Sequence, residues 1–414
     1  MSAMDTGSTI SSALALGDDP AEVAGRAARE VRGRLGGDAD LVVMFASPVL
    51  CRDPGAILDA VHAELRPRRL VGCTGEAIIG TGREVEGDPA LVVWAARLPG
   101  ARITPVRTAA EADETGEATF PGWPFLPGVA TGEGAQAPDA DDAVILLADP
   151  FSFPVDRFLA AVADNVWRPP IVGGLASGGR APGQHVLFLD RRWYDDGAVG
   201  VTVGGTDMVI AVSQGCAPIG PEMVVTDAEE GGLVYELAGR PAIAKLEEVI
   251  GGLEPPERKL ALNGLLAGLV IDENRPEYVR GDFLVRGILG GDRETGALVV
   301  GERVRVGQTM RLHVRDADSA DEDLRETLRG ARAQLAGTPA GALVFTCNGR
   351  GTHMFPVPDH DASVLGEELG NAPAAGLFCN GEIGPVGGRT FAHGFTATMA
   401  LFGATPQPDG TPAD

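Results

Sequence analysis

Short apolar runs bounded by turn formers recur along the chain, and three times they alternate with a helical pattern. Residues 41–45 (Leu-Val-Val-Met-Phe) read as a buried strand. Pro54 then opens a helix with Ile57, Leu58, Val61 and Leu65 on one face, and a second strand follows over 70–73. A further strand is predicted over 90–96. The order repeats with a strand over 143–148 and a helix from Pro154 carrying Val155, Phe158, Leu159, Val162 and Val166. Strands over 171–174, 185–189 and 198–203 complete that module. The third has a strand over 342–346, a helix over 362–369, and strands over 374–378 and 395–402.

The spacing from the first strand end to a glycine of the second strand is 25 residues from Ser47 to Gly72 and 24 from Asp149 to Gly173. It is 29 from Cys347 to Gly376, and a proline (Pro67, Pro170, Pro373) precedes each second strand. The pattern predicts internal duplication. A helix between two strands favours parallel pairing, and the shorter links after Gly75 and Gly178 favour antiparallel additions. The fold class is therefore α/β (mixed α+β): mixed β-sheets flanked by helices, built from repeated strand-helix-strand modules in two lobes joined near Arg240.

Between 207 and 336 the pattern changes. Strands are predicted over 208–214, 223–226, 283–289, 297–300 and 309–314, with helices over 241–250, 258–266 and 319–335. Residues 1–39 form a helical lead-in, 108–141 a loose Gly/Pro-rich loop, and 403–414 a disordered tail. The expected domains are thus 40–240 and 241–402.

The net charge of −24 disfavours nucleic acid or anionic membrane as a partner. Lys245 and Lys259 are the only lysines, which with the abundant Ala and Gly suggests GC-rich bacterial coding. The first 16 residues lack a signal-peptide pattern and no apolar run is long enough to span a membrane, so the chain reads as cytoplasmic. Five dispersed cysteines without a CxxC pair argue against a disulfide framework or a thiolate zinc site.

Candidate chemistry gathers at the strand ends. Cys73-Thr74-Gly75-Glu76 has a near echo in Cys379-Asn380-Gly381-Glu382 and a weaker one around Gly173-Gly174. Glycine turns at strand ends let backbone N–H groups approach a ligand. Neither a GxGxxG nor a Walker A sequence is present, and no Ser-His-Asp elbow, HExxH or paired-His motif appears. Glu76 and Glu382 suit a ligand ammonium or a guanidinium; Arg350, followed by Gly351, suits a ligand carboxylate or an internal Arg–Glu pair. Cys73, Cys347 and Cys379 read as small buried hydrophobes, with Cys379 or Cys347 as a nucleophile the alternative, Arg350 or His353 lowering its pKa. His393 suits a ligand contact, a haem axial position among Phe391, Phe395 and Met399, or a hydrogen-bonded core site.

These motifs resemble the FIST family. The N-terminal half of the resemblance rests on Val71 to Glu76, Asp196-Gly197-Ala198-Val199, Gln214 to Gly220 and Val225-Thr226-Asp227-Ala228. The C-terminal half rests on Cys347-Asn348-Gly349-Arg350-Gly351, on residues 373–385 and on Phe391-Ala392-His393. The family occurs in bacterial sensory proteins and in some eukaryotic F-box proteins, and the resemblance implies a sensory, small-ligand-binding role with amino acids among the ligands. Some members bind haem and respond to nitric oxide. The two halves fill this chain without an attached output region, so a separate signalling protein is the implied partner. The expectation is a non-enzymatic sensor of an amino acid or similar metabolite, with no metal and no cofactor; the alternatives are a haem protein and a Cys-dependent enzyme. The pocket is expected to draw on both halves, at Cys73, Thr74, Gly75, Glu76, Gly173, Gly174, Arg350, Gly351, Cys379, Asn380, Gly381, Glu382 and His393.

Overall fold

A computed structural model describes residues 8–404 except 113–115, 117, 124–138, 140, 141, 230 and 280. Most of the expected loop over 108–141, and the tail from 405 onward, lie outside the described residues. The chain forms two compact units: Met1–Val212 with Arg325–Pro385 and Arg389–Asp414, and Ser213–Leu324 with Val386–Gly388.

The first unit repeats one pattern three times. The first module runs β1 (Thr9–Leu16), α1 (Pro20–Leu35), β2 (Leu41–Ala46), α2 (Pro54–Leu65), β3 (Arg69–Thr74), the hairpin β4 (Ala77–Gly80) and β5 (Arg83–Glu86), and β6 (Ala90–Arg97). The second runs β7 (Arg102–Thr108), the short pair β8 (Glu111–Ala112) and β9 (Ala118–Thr119), β10 (Ala143–Ala148), α3 (Val155–Ala163), β11 (Ile171–Leu175), the hairpin β12 (Leu187–Leu189) and β13 (Arg192–Tyr194), and β14 (Ala198–Gly204). The third opens with β15 (Met208–Ser213). The chain then builds the second unit from β16 (Ala217–Glu229), β17 (Leu233–Leu237), β18 (Arg240–Pro241), α4 (Ala242–Gly252), α5 (Pro255–Asn263), β19 (Leu265–Val270), β20 (Phe283–Asp292), β21 (Ala297–Val300) and β22 (Thr309–Val314). It returns through α6 (Ala317–Gln334) to β23 (Pro339–Cys347), α7 (His360–Leu369), β24 (Ala374–Cys379), the hairpin β25 (Glu382–Val386) and β26 (Arg389–His393), and β27 (Ala397–Gly403).

Three six-stranded sheets result, with the orders β1-β6-β2-β3-β12-β13, β7-β14-β10-β11-β25-β26 and β15-β27-β23-β24-β4-β5. Each contains one parallel pair joined by a helix, as predicted, flanked by antiparallel strands. The hairpin that follows each second strand does not stay in its own sheet. The first module's hairpin pairs with β24, the second's with β3 and the third's with β11, which closes a ring of exchanges. The second unit interrupts the third module at the place where α1 directly follows β1 in the first.

Alternation sets the two faces of each sheet. Val43, Phe45, Val71 and Cys73 share one apolar core with Ile145, Leu147, Val172, Leu343, Phe345, Leu377 and Cys379 from the other sheets. The opposite face of the first sheet, with Val42, Met44 and Ala46, packs under α1 and α2. Both helices are started by an aspartate side chain accepting a backbone N–H, Asp19 from Glu22 and Asp53 from Ala56, with proline in the first turn. Within the second unit, β16, β22, β19, β20, β21 and β17 close on themselves, since β17 also pairs with β16. Val225, Val234, Leu269, Met310 and Leu312 fill that ring.

Four expectations need correction. The lead-in contains a strand, β1, before its helix, because its backbone pairs along the whole of β6. Val166 lies beyond the end of α3 and is 99% exposed. The helix predicted over 258–266 stops at Asn263, and Leu265–Val270 is a strand bonded to both β20 and β22. The compact units do not divide at Arg240, which lies within the second unit; the exchanged hairpins tie residues 77–86 to β24 and residues 382–386 to β11.

Candidate functional site

Gly72, Gly173 and Gly376 occupy equivalent places in the three sheets. Each lies in parallel register with Met44, Leu146 or Val344, and a Cβ would sit 2.2, 1.8 and 2.2 Å from the carbonyl oxygen of that partner. Any side chain would collide with backbone, so the second strand needs glycine here. Counting on from these glycines, Gly75, Ala176 and Cys379 correspond, then Glu76, Ser177 and Asn380. The Cys-x-Gly-Glu echo is therefore out of step: Cys73 corresponds to Gly174 and Leu377, whereas Cys379 corresponds to Gly75.

The same count on the first strands aligns Ser47, Asp149 and Cys347. Their N–H groups donate to the carbonyls of Ala90, Gly197 and Thr396 at 2.9, 2.8 and 3.1 Å. The N–H groups of those three residues each find a side chain: Ser47 Oγ at 3.1 Å, Ser152 Oγ at 2.8 Å and Glu382 Oε2 at 3.0 Å. Cys347 stands where the first module has the accepting Ser47, and the Glu382 carboxylate takes over that task. Glu382 Oε2 also accepts from Thr396 Oγ1 at 2.9 Å, and its Oε1 is buried with no hydrogen-bond partner. Burial pushes the Glu382 carboxyl up to about 8, against the Thr396 hydrogen bonds and the Arg350 charge.

At the strand ends the three modules are stitched together. Ser177 donates its N–H to Thr74 O at 3.1 Å; its Oγ accepts from Glu76 N–H at 2.8 Å and donates to Phe378 O. Thr74 itself is buried and its Oγ1 accepts from Val186 N–H at 3.3 Å. Asn380 donates its N–H to Leu175 O and its Nδ2 to Ala176 O, both at 3.2 Å, while Gly381 O accepts from Leu175 N–H at 2.8 Å. Asn348 Nδ2 donates to Asn380 Oδ1 at 2.9 Å, and Asn348 Oδ1 is buried without a hydrogen-bond partner. Glu76 and Asn380 are exposed, whereas Cys347 and Asn348 are half-buried. Glu76, Gly75, Thr74, Asn380 and Gly381 therefore meet at one connected set of strand ends, with Ser177 and Asn348 as members the sequence reading missed. Recognising them requires the register, because neither residue type is distinctive alone.

Arg350 and Gly351 have a different setting. Arg350 is fully buried, and its Nε and Nη2 donate to the two Asp361 carboxylate oxygens at 2.7 and 2.8 Å. Its guanidinium also lies 5.1 Å from the centre of the Phe355 ring. Burial acts to raise the Asp361 carboxyl, and the guanidinium overcomes it, holding Asp361 well below the usual carboxylate range. This corrects the carboxylate-clamp expectation: the Arg350 fork makes a buried bidentate pair with Asp361, and its charge also acts on Glu382. Glu84 is nearby, its Oε1 accepting from Ala362 N–H at 2.9 Å; burial and the Asp361 charge push it up to about 8. Gly351 has φ +57°, and a Cβ there would meet the Phe378 ring and the Glu86 carboxylate. A second buried pair joins Asp149 to His185 Nδ1 at 2.8 Å, while His185 Nε2 accepts from Gly179 N–H at 3.1 Å.

His393 lies in the β25–β26 hairpin with its Nε2 2.9 Å from Gly384 O. Met399 is buried within β27 opposite Val344, and the Phe395 ring covers Gly349. The Phe391 ring meets the His393 ring edge-on, with centroids 6.3 Å apart. Among the described residues no group of three His, Cys, Asp or Glu side chains is placed to hold a metal. Cys379 is fully buried, and burial, with the Glu382 charge adding to it, pushes its thiol well above the ordinary value. Cys73 is likewise buried, with its thiol raised by burial. Neither is poised as a thiolate nucleophile.

The repeated sheets and their ring of exchanged hairpins define a mixed α/β repeat protein whose polar strand ends converge. The FIST N domain matches residues 40–240 and the FIST C domain residues 242–385, so the chain belongs to the FIST family. It is 42% identical over 391 residues to an uncharacterized protein of Mycobacterium tuberculosis, covering 93% of this chain and 97% of the relative. An uncharacterized protein of Mycobacterium bovis is 43% identical over 391 residues, with 93% and 96% covered. FIST domains are associated with sensory signalling. No helix among the described residues is long and apolar enough to cross a membrane.

Proposed function

We propose that the chain is a sensory protein that binds a small amine-bearing metabolite, an amino acid or a close relative, and passes the signal to a separate protein. The observation that supports this is the setting of Glu76. Its backbone is tied to Ser177 of the second module, its side chain is exposed, and the neighbouring strand end carries the Asn348–Asn380 amide pair. A carboxylate matches a ligand ammonium, and side-chain amides match a ligand carboxylate or amide. Glycine-walled turns at converging strand ends are where open α/β sheets hold small molecules.

Thermal-shift screening with the standard amino acids and simple amines, followed by calorimetry, tests the reading. At least one amine is expected to bind, and Glu76→Gln to weaken it tenfold or more. Glu76 is exposed, so the variant should keep its fold. Failure of every amine to bind, or binding indifferent to Glu76→Gln, would sink the proposal.

A further inference from the structure

The strand ends that carry Glu76 and the amides also carry an apolar collar, and its construction repeats around the three modules. Val49 and Phe151 hold equivalent places, two residues beyond Ser47 and Asp149, and are 45% and 46% exposed. The third module has Gly349 at that place. Its missing side chain is replaced by the Phe395 ring, whose Cδ1 and Cε1 lie 3.3 and 3.4 Å from where a Gly349 Cβ would be. Phe395 is 38% exposed and sits at φ +70°, a conformation that a bulky side chain rarely adopts. Residues held in such strained conformations cluster at ligand clamps.

The collar adjoins the polar set on each side. Pro48, next to Val49, is 2.5 Å from where a Gly178 Cβ would be, and the Glu76 Cα lies 3.3 Å from the same point. Phe151 stacks on His185 at 5.6 Å, and His185 accepts from Gly179 N–H. Phe395 precedes Thr396, whose N–H and hydroxyl are held by Glu382. The polar groups within this collar lean toward acceptors. Glu76 is an exposed carboxylate, and Asn348 Oδ1 is a buried atom with no hydrogen-bond partner.

From these placements we infer that the ligand is an amphipathic amine: an ammonium at Glu76 joined to an aromatic or large apolar body seated against Val49, Phe151 and Phe395. This rests on the amine-binding reading above and narrows its ligand class, excluding small polar amino acids. Aromatic faces add attraction for a desolvated cation as well as apolar area.

Calorimetry on the full chain with phenethylamine, ethylamine and 3-phenylpropionate tests it. Phenethylamine is expected to bind at least tenfold more tightly than either of the others. Phe151→Ala and Phe395→Gly should each weaken phenethylamine threefold or more while leaving ethylamine unchanged. An unchanged melting temperature together with unchanged ethylamine affinity separates loss of binding from loss of fold in both variants. Equal affinity for ethylamine and phenethylamine overturns the apolar collar and leaves the amine site standing. Equal affinity for 3-phenylpropionate overturns the ammonium at Glu76. Binding of neither amine overturns this inference together with the reading beneath it.

Discussion

A Cβ on Gly174 would sit 2.3 Å from the Cys379 sulfur, so the fully buried thiol of the third module occupies the space that glycine leaves in the second. The two residues lie in different sheets and meet within the shared core. Gly174→Ala should destabilise the protein by roughly 1–3 kcal/mol through overpacking. Cys379→Ala removes the sulfur, so combining it with Gly174→Ala should cost less than the two single changes added together. Urea unfolding of the four proteins measures the coupling; strictly additive costs would show that the two side chains do not compete for one space.

Arg350→Ala leaves the Asp361 carboxylate buried without its bidentate partner. Loss of about 3–5 kcal/mol is expected from breaking such a pair on one side only. Replacing both residues with apolar ones, Arg350→Met with Asp361→Leu, should recover most of that loss. Thermal denaturation decides, and an Arg350→Ala protein as stable as wild type would show that the guanidinium has other work.

Glu382 gives a pH dependence of defined sign. Its carboxyl titrates near 8 in the folded protein and near 4.3 when unfolded. Between those values the folded state holds a proton that the unfolded state has lost, so stability falls as pH rises from about 5 to about 8. Glu84 adds a fall of the same sign, and Asp361, depressed when folded, adds stability that is lost only in acid. Comparing wild type with Glu382→Gln isolates one carboxyl. The variant should gain relative stability across that window, at up to about 1.4 kcal/mol per pH unit. Parallel stability curves would contradict the assignment.

Of the five cysteines, Cys347 is half-buried and the others are buried. Native alkylation at pH 7.5 should therefore modify Cys347 first, with the other four reacting only on the timescale of unfolding. Peptide mapping reads this directly, and rapid labelling of Cys379 would refute the burial argument.

Much of the repeat is legible in the sequence. Buried strands declare themselves as apolar runs, and the intervals ending at Gly72, Gly173 and Gly376 pick out residues that the backbone register makes equivalent. The match of Cys73–Glu76 with Cys379–Glu382 misled, because a four-residue likeness carries no register, and Glu382 answers a local need created by Cys347. The exchange of hairpins was invisible for a related reason. A ladder is made of backbone N–H and C=O groups common to all residues, so Ala77–Gly80 does not specify in its side chains which edge it will join. Arg350 and Asp361 lie only eleven residues apart, yet a sequence with so many acids gives no reason to choose Asp361 over a glutamate.

The closed circuit of exchanged hairpins makes the chain indivisible in manufacture. A cut at residue 240 separates β4 from β24 and β25 from β11, stripping one flank from a central strand in each fragment. Bare flanks of that kind recruit other chains. Expressed separately, the two halves should come out as aggregates, whereas co-expressed halves have every missing partner within reach. An isolated module has one such bare flank and one hairpin without a strand to join, and a trio of copies donating arms in rotation would satisfy both.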